Sequence, residues 1–393
     1  GLGIFLAAVS PNTLSNTVIR DNRIAGHNLA DIWTLGAGVT GTEIARNTIG
    51  FQFNSSGDTI LQPGDVPTPY GIRTDQGTHT IKDNVVGGQS WNILLAGEAM
   101  VTFTPPTDTN GDDIPDTEGD LNFLDPTGSD SPGTEPTNGK NSVVEDNLVG
   151  IYTDLTVPAG VDQIGGITLY GYPTNITVKD NTVAGHSLAS IFVKDGVDHT
   201  VSGNTLGTAN GSDQGTAVGI LVKDALKLEV GPGNIIGRCS TAGLVLAGEA
   251  GDIRVHNNKI GTDEEGRTSR PNAHGVQMID DDDGLQKIVL EDNLISGNTE
   301  SGIQISTLAE ELALTDNRIG VNIDGAAMAN KIGVQVVEGS PEIRSGVIAY
   351  SQLVGIAIAG SGQDIDLEGV SIYNNGESAT AGEGILYASP PHN

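Results

Sequence analysis

Between Asp108 and Asp120 the chain reads DTNGDDIPDTEGD, which sets Asp108, Asn110, Asp112 and Asp116 at positions 1, 3, 5 and 9 of one run, with Glu118 and Asp120 beyond. Oxygen donors spaced by two along a tight turn converge on one hard cation, and calcium accepts six to eight of them. The run is expected to hold calcium. The competing reading is a disordered acidic loop. It lies in the largest insertion of the chain, residues 103–139.

Acidic residues also recur beside an asparagine, at Asp21, Asp83, Asp146, Asp180, Asp292 and Asp316. Arg20, Lys82 and Lys179 offset them in part, and the expectation is solvated turn carboxylates rather than bound cations. A third set, Asp195, Asp224, Asp280 and Glu338, ends short apolar segments. Carboxylates about 5–10 Å apart serve glycoside hydrolysis. The same register holds Gly36, Gly97, Gly171, Gly248 and Gly360, though, so a strand-ending turn is the better reading. The run Asp280–Asp283 remains an extra cation candidate. His27 and His186 share a register but are separated by four repeats, too far to share a metal. His79, His199, His256 and His274 show no metal-site spacing, and nucleotide-binding and nucleophile-elbow fingerprints are absent.

The elements that position these residues come from an internal repeat. Asparagine, a spacer, an aliphatic residue and glycine recur from Asn22, Asn47, Asn84, Asn147, Asn181, Asn204, Asn234, Asn258, Asn293 and Asn317, with a base period near 24 extended by insertions. Each is followed by two inward-alternating side chains, from Ile32/Thr34 and Ile72/Thr74 through to Ile385/Tyr387. Period-two alternation places such pairs on one face of a strand. Strands this short and glycine-punctuated describe a coil stacked on itself. Asparagine tolerates the left-handed turn conformation, and stacked amides can hydrogen-bond from coil to coil. Insertions 51–70, 151–165, 208–218, 262–274 and 321–332 fall in alternate coils after the asparagine turn. They mark either a binding face or the decoration of a duplicated two-coil unit.

The outward positions of the short strand carry Trp33, Arg73, Tyr170, Phe192, Lys194 and Lys223, then Gln277, Gln304 and Gln335. Aromatics beside basic and amide groups suit sugar rings, and a lysine or arginine can serve a lyase as base. The alternative is that the 103–139 insertion packs on Trp33, Leu94 and Phe192.

The stretches NKIGTDEEGRTSRPNAHGVQM and LEDNLISGNTESGIQI are similar to the right-handed parallel β-helix repeat proteins of bacterial and archaeal cell surfaces, with pectate-lyase-like architecture. The likeness covers about Asn12 to Tyr387. It implies an all-β solenoid of about 12 coils, read as a single domain over 1–393, and clefts built on the outward face of the short strands. The DTNGDDIPD run resembles the calcium loops of thrombospondin type 3 repeats, with Asp113 where glycine usually sits. Motifs of alginate epimerases and polygalacturonases are missing.

Fifty acidic against 19 basic residues give a formal net charge of −31. That field excludes nucleic acid as a partner. No apolar run reaches the roughly 20 residues of a membrane span. A single cysteine, Cys239, rules out an intrachain disulfide framework. The expected function is an extracellular or cell-surface, non-catalytic structural or adhesive module stabilised by calcium. Neither end offers an obvious cap, so end-to-end self-association into a filament is expected, with a glycan as a further partner. The alternative is a polysaccharide lyase or glycoside hydrolase using Lys194, Lys223 and Arg73.

Overall fold

The structure is a computed structural model that describes residues 2–8, 11–27, 29–50, 52–53, 59–60, 69–97, 141–151, 163–207, 216–279, 285–359, 365–376 and 383–388. Every regular element among them is a strand, and no helix long and apolar enough to cross a membrane occurs there. The chain divides into two compact units: residues 1–200 with 209–217, and residues 201–208 with 218–393. Each is a parallel β-helix of three sheets, with one strand per sheet per coil except in the first, where Leu14–Ser15 and Val18–Arg20 both pair with Val39–Ala45 in sheet B.

In the first unit, sheet A runs Leu2–Ala7, Ala30–Leu35, Tyr70–Asp75, Trp91–Ala96, Gly165–Tyr170 and Ala189–Lys194. In the second it runs Val218–Lys223, Ala242–Ala247, His274–Ile279, Ser301–Ser306, Ile332–Glu338, Val354–Ala359 and Glu383–Ala388. Leu2–Ala7 is a strand the repeat count misses, because that count starts from the turn at Asn22. It nevertheless pairs in register, Ile4 with Ile32 and Phe5 with Trp33. Sheets B and C follow in each coil, sheet C through two- or three-residue strands such as Val85–Val86 and Ile235–Ile236.

Parallel in-register stacking puts like on like. Ile32, Ile72, Ile93, Ile167 and Ile191 form one fully buried column in sheet A. Ile49, Val86, Val149 and Val183 form another in sheet C. Coils this thin leave no room for large side chains, so aliphatic columns replace an aromatic core.

The turn asparagines form ladders. In the first unit the backbone N–H and Nδ2 of Asn84 both donate to Asn147 Oδ1, at 3.0 Å each, and those of Asn147 donate to Asn181 Oδ1 at 3.0 and 2.9 Å. The second unit repeats this from Asn204 through Asn234, Asn258 and Asn293 to Asn317. The left-handed residue is not the ladder asparagine, as expected from sequence, but the one before it. Asp21, Asp83, Asp146, Asp180, Asp292 and Asp316 have φ between 54° and 59°. Aspartate is among the few side chains that accept this conformation readily, which explains the recurring Asp-Asn pair by backbone demand alone.

A second ladder, hidden in the sequence, lines the corner between sheets C and A. In the second unit Asn272 donates through N–H and Nδ2 to Asn298 Oδ1, and Asn298 likewise to Asn330 Oδ1. The glycines at the second position of each sheet A strand make space for it. A Cβ on Gly243 would lie 3.0 Å from Asn272 Nδ2 and 2.7 Å from Ile260 Cγ2. In the first unit Asp31, Asn92 and Ser190 take the glycine's place, all fully buried. There Gln89 Nε2 donates to Asp31 at 3.0 Å, and Asn92 Nδ2 reaches both Gln163 Oε1 at 3.1 Å and His186 Nε2 at 2.8 Å.

Two of the five insertions lie within the described residues. In the first, Asp263 Oδ1 accepts the N–H groups of Arg267 and Thr268; in the second, Asn322 Oδ1 accepts those of Asp324 and Ala326. These loops, two coils apart, touch directly. Ile323 N–H donates to Gly266 O at 2.9 Å, and the Arg267 guanidinium pairs with Asp324. On sheet B the outward rows carry ion pairs between adjacent coils, Lys82 with Glu43 and Lys179 with Glu145 in the first unit, and Arg254 with Glu229 and Glu291 in the second.

Candidate functional site

Sheet A presents its outward side chains in rows that run from coil to coil. In the first unit one row holds Phe5, Trp33, Arg73, Leu94, Thr168 and Phe192 in register. Two residues further along lie Leu35, Asp75, Ala96 and Tyr170, with Lys194 at the end of the last strand. Exposure divides the first row sharply. Phe5 is 46% exposed and Trp33 half-buried, whereas Arg73 is 2% exposed and Leu94, Thr168 and Phe192 are fully buried.

Arg73 explains its own burial. Its Nε and terminal nitrogen each donate to an Asp75 carboxylate oxygen at 2.8 Å. Its guanidinium lies 4.3 Å from the Trp33 ring centroid and 4.9 Å from that of Tyr70. Trp33 Nε1 also donates to Asp75 at 3.1 Å, and Phe5 meets the Trp33 ring edge-on at 5.5 Å. A planar fork facing a carboxylate and stacked on aromatics is a rigid arrangement. The Arg73 charge is thereby spent within the protein, while Trp33 is fixed in orientation and left partly accessible. Burial, foremost, pushes the Tyr70 hydroxyl up to about 12, so it stays protonated.

Among the sequence candidates, then, Trp33, Tyr170 and Lys194 are half-buried, and Arg73 and Phe192 are buried. Lys223 ends the first sheet A strand of the second unit and is 6% exposed. In that unit the outward row begins with the buried Leu221 and Val245, then opens at Gln277, Gln304 and Gln335, all half-buried and in register. Gln277 Nε2 donates to Gln304 Oε1 at 2.8 Å, while Gln277 Oε1 is buried and accepts no hydrogen bond. Beside them His274 Nδ1 meets the Ser301 hydroxyl at 2.7 Å, and Lys331 pairs with Glu300 at 2.6 Å. Burial holds His274 below the usual histidine range, so the ring is neutral at pH 7. The glutamines were visible in the sequence as outward positions, but their accessibility was not.

Two of the strand-end carboxylates, Asp195 and Asp224, act as turn caps. Asp195 accepts the N–H of Tyr172 at 2.7 Å and Asp224 that of Glu249 at 3.1 Å. Asp146 is raised above the usual carboxylate range, first by desolvation and then by Asp180 and Asp83, with Lys179 opposing. The calcium candidates Asp108, Asn110, Asp112, Asp116, Glu118 and Asp120 lie outside the described residues, as does Asp280–Asp283. Among the described residues no three histidine, cysteine or acidic side chains gather as a metal site.

Residues 138–319 match the family model described as "Right handed beta helix region". The solved structure of Dettilon tailspike protein gp208 is similar at 12% identity, with a TM-score of 0.52 over 98% of this chain and 61% of that one. Two mutants of the periplasmic alginate epimerase AlgG are similar at 13% and 12% identity, with TM-scores of 0.56 and 0.57 over 94% of this chain and 76% of theirs. At these identities the likeness is one of fold: a right-handed parallel β-helix. The chain spans 61% of the tailspike's length. No curated protein sequence matches it.

Proposed function

We propose that the protein is an extracellular, non-catalytic β-helix module that binds polysaccharide along the outward face of sheet A, its acidic insertion held by calcium. The observation that carries this reading is the accessible amide row of Gln277, Gln304 and Gln335, one glutamine per coil in register. Amides that both donate and accept match sugar hydroxyls, and the coil spacing of about 4.8 Å repeats the same contact along a chain of sugars. Trp33 adds a partly exposed, immobilised aromatic surface in the first unit, of the kind on which the apolar face of a sugar stacks. The fold is shared with a tailspike protein and a periplasmic alginate epimerase, which agrees with a setting outside the cytoplasm.

The enzyme reading needs a base among Arg73, Lys194 and Lys223. Arg73 lends it no support, since its guanidinium is committed to Asp75. Glycan-array binding, repeated with Gln304→Ala and Trp33→Ala and paired with ultraviolet detection of unsaturated products, tests both readings. Binding lost in the variants without product formation supports the module; product formation supports the lyase.

A further inference from the structure

We infer that the glycan taken by the glutamine face is an uncharged polysaccharide, an inference that rests on the proposed binding at this face. The argument begins with what lies along the three open coils. The row nearest the corner holds His274, Ser301 and Ile332, the middle row Gln277, Gln304 and Gln335, and the third starts with Ile279 and Ser306. None of these side chains carries a charge at pH 7, since burial keeps His274 neutral.

Glu338, which pairs with Ser306 in the third row, is the one charged side chain of these rows, and the charges beside them are balanced or negative. Lys331 is held by Glu300 at 2.6 Å. Glu338 is exposed where its strand ends, and the sequence continues from Ile279 into Asp280, Asp281, Asp282 and Asp283. Among the described residues the three outward rows offer a polyanion no cation, and it would approach a chain of net charge −31. An uncharged sugar chain suffers neither penalty. Its hydroxyls can donate to the amide oxygens and accept from the amide N–H groups of the half-buried Gln304 and Gln335.

The test is isothermal titration with six-residue cello-, manno- and galacto-oligosaccharides against oligomannuronate and oligogalacturonate, in calcium and in EDTA. The expected result is binding of at least one neutral oligosaccharide, little changed by salt or EDTA and weakened about tenfold in Gln304→Ala. Gln335→Ala serves as the second variant should Gln304→Ala melt early. Uronates binding more tightly than every neutral chain, with the affinity lost in either variant, would overturn the inference and leave the binding face standing. Binding of no oligosaccharide, or binding indifferent to both variants, would remove the face itself and the inference with it.

Discussion

Acid should loosen the first unit through its buried histidines. His186 is fully buried, with Asn92 donating to its Nε2, and desolvation lowers its pKa to about 3; His199, buried against Ile176 N–H, is lowered mainly by desolvation to about 4. Both are neutral when folded and take up protons from about pH 6.5 when unfolded, so stability is intact above pH 6.5 and falls as pH drops toward the folded values. Down to pH 4 each group contributes a loss of about 3 kcal/mol, taking about 1.4 kcal/mol per pH unit. Asp31 works in the opposite sense. Its burial raises the carboxyl to about 6, against the opposing hydrogen bonds of His27 and Gln89, so stability is regained between pH 6 and 4, by about 3 kcal/mol.

The net loss at pH 4 is therefore about 3 kcal/mol, a large part of the roughly 5–15 kcal/mol that holds a typical domain. Burial also lowers His79, which adds to the loss. Urea denaturation at pH 7, 5 and 4, followed by hydrogen exchange of peptides from 163–200 and 242–359, resolves the effect by unit. His186→Asn should flatten the dependence of the first unit, and Asp31→Asn should steepen it. If His186→Asn tracks the wild type between pH 7 and 4, the histidine is not buried in its neutral form and the reasoning fails.

Asn147→Ala removes the acceptor of the Asn84 N–H and Nδ2 and the donor to Ile81 O, and should cost about 3–5 kcal/mol in urea unfolding. Arg73→Met strands the buried Asp75 carboxylate; a loss of about 3–5 kcal/mol at pH 7 is expected, read by thermal melting, and should shrink in acid as Asp75 protonates. If Asp112 and Asp116 help to bind calcium, calorimetric titration should show a site that is lost in Asp112→Asn with Asp116→Asn; a wild-type chain with no calcium heat would end that assignment. End-to-end association predicts sedimentation that shifts with protein concentration, whereas a single monomer boundary in calcium counters it.

The coil period, the inward pairs and the first asparagine ladder were legible in the sequence because one residue type recurs at one place. The second ladder was not. Its positions read His27, Gln89, Gln163, His186, Thr216, Cys239, Asn272, Asn298, Asn330, Ser351 and Asn375, which share a location and little else. Its signal lay one step away, in the glycines that make room for it and in the three first-unit exceptions, Asp31, Asn92 and Ser190. Outward direction was likewise legible for Arg73 and Gln304, since alternation decides which face a side chain takes. Whether that face is open depends on what packs over it and on partners such as Asp75, two residues from Arg73, and alternation is silent on both.

The ladders give the molecule a property that globular cores lack. Each rung of the first ladder binds only to its neighbours, so the ladder is complete at a coil once one coil lies above it and one below. A block of coils excised between two equivalent asparagines leaves a seam whose donors and acceptors still match. Length is thus a free variable of this architecture, and the number of outward glutamines in register can be set coil by coil without redesigning the interior.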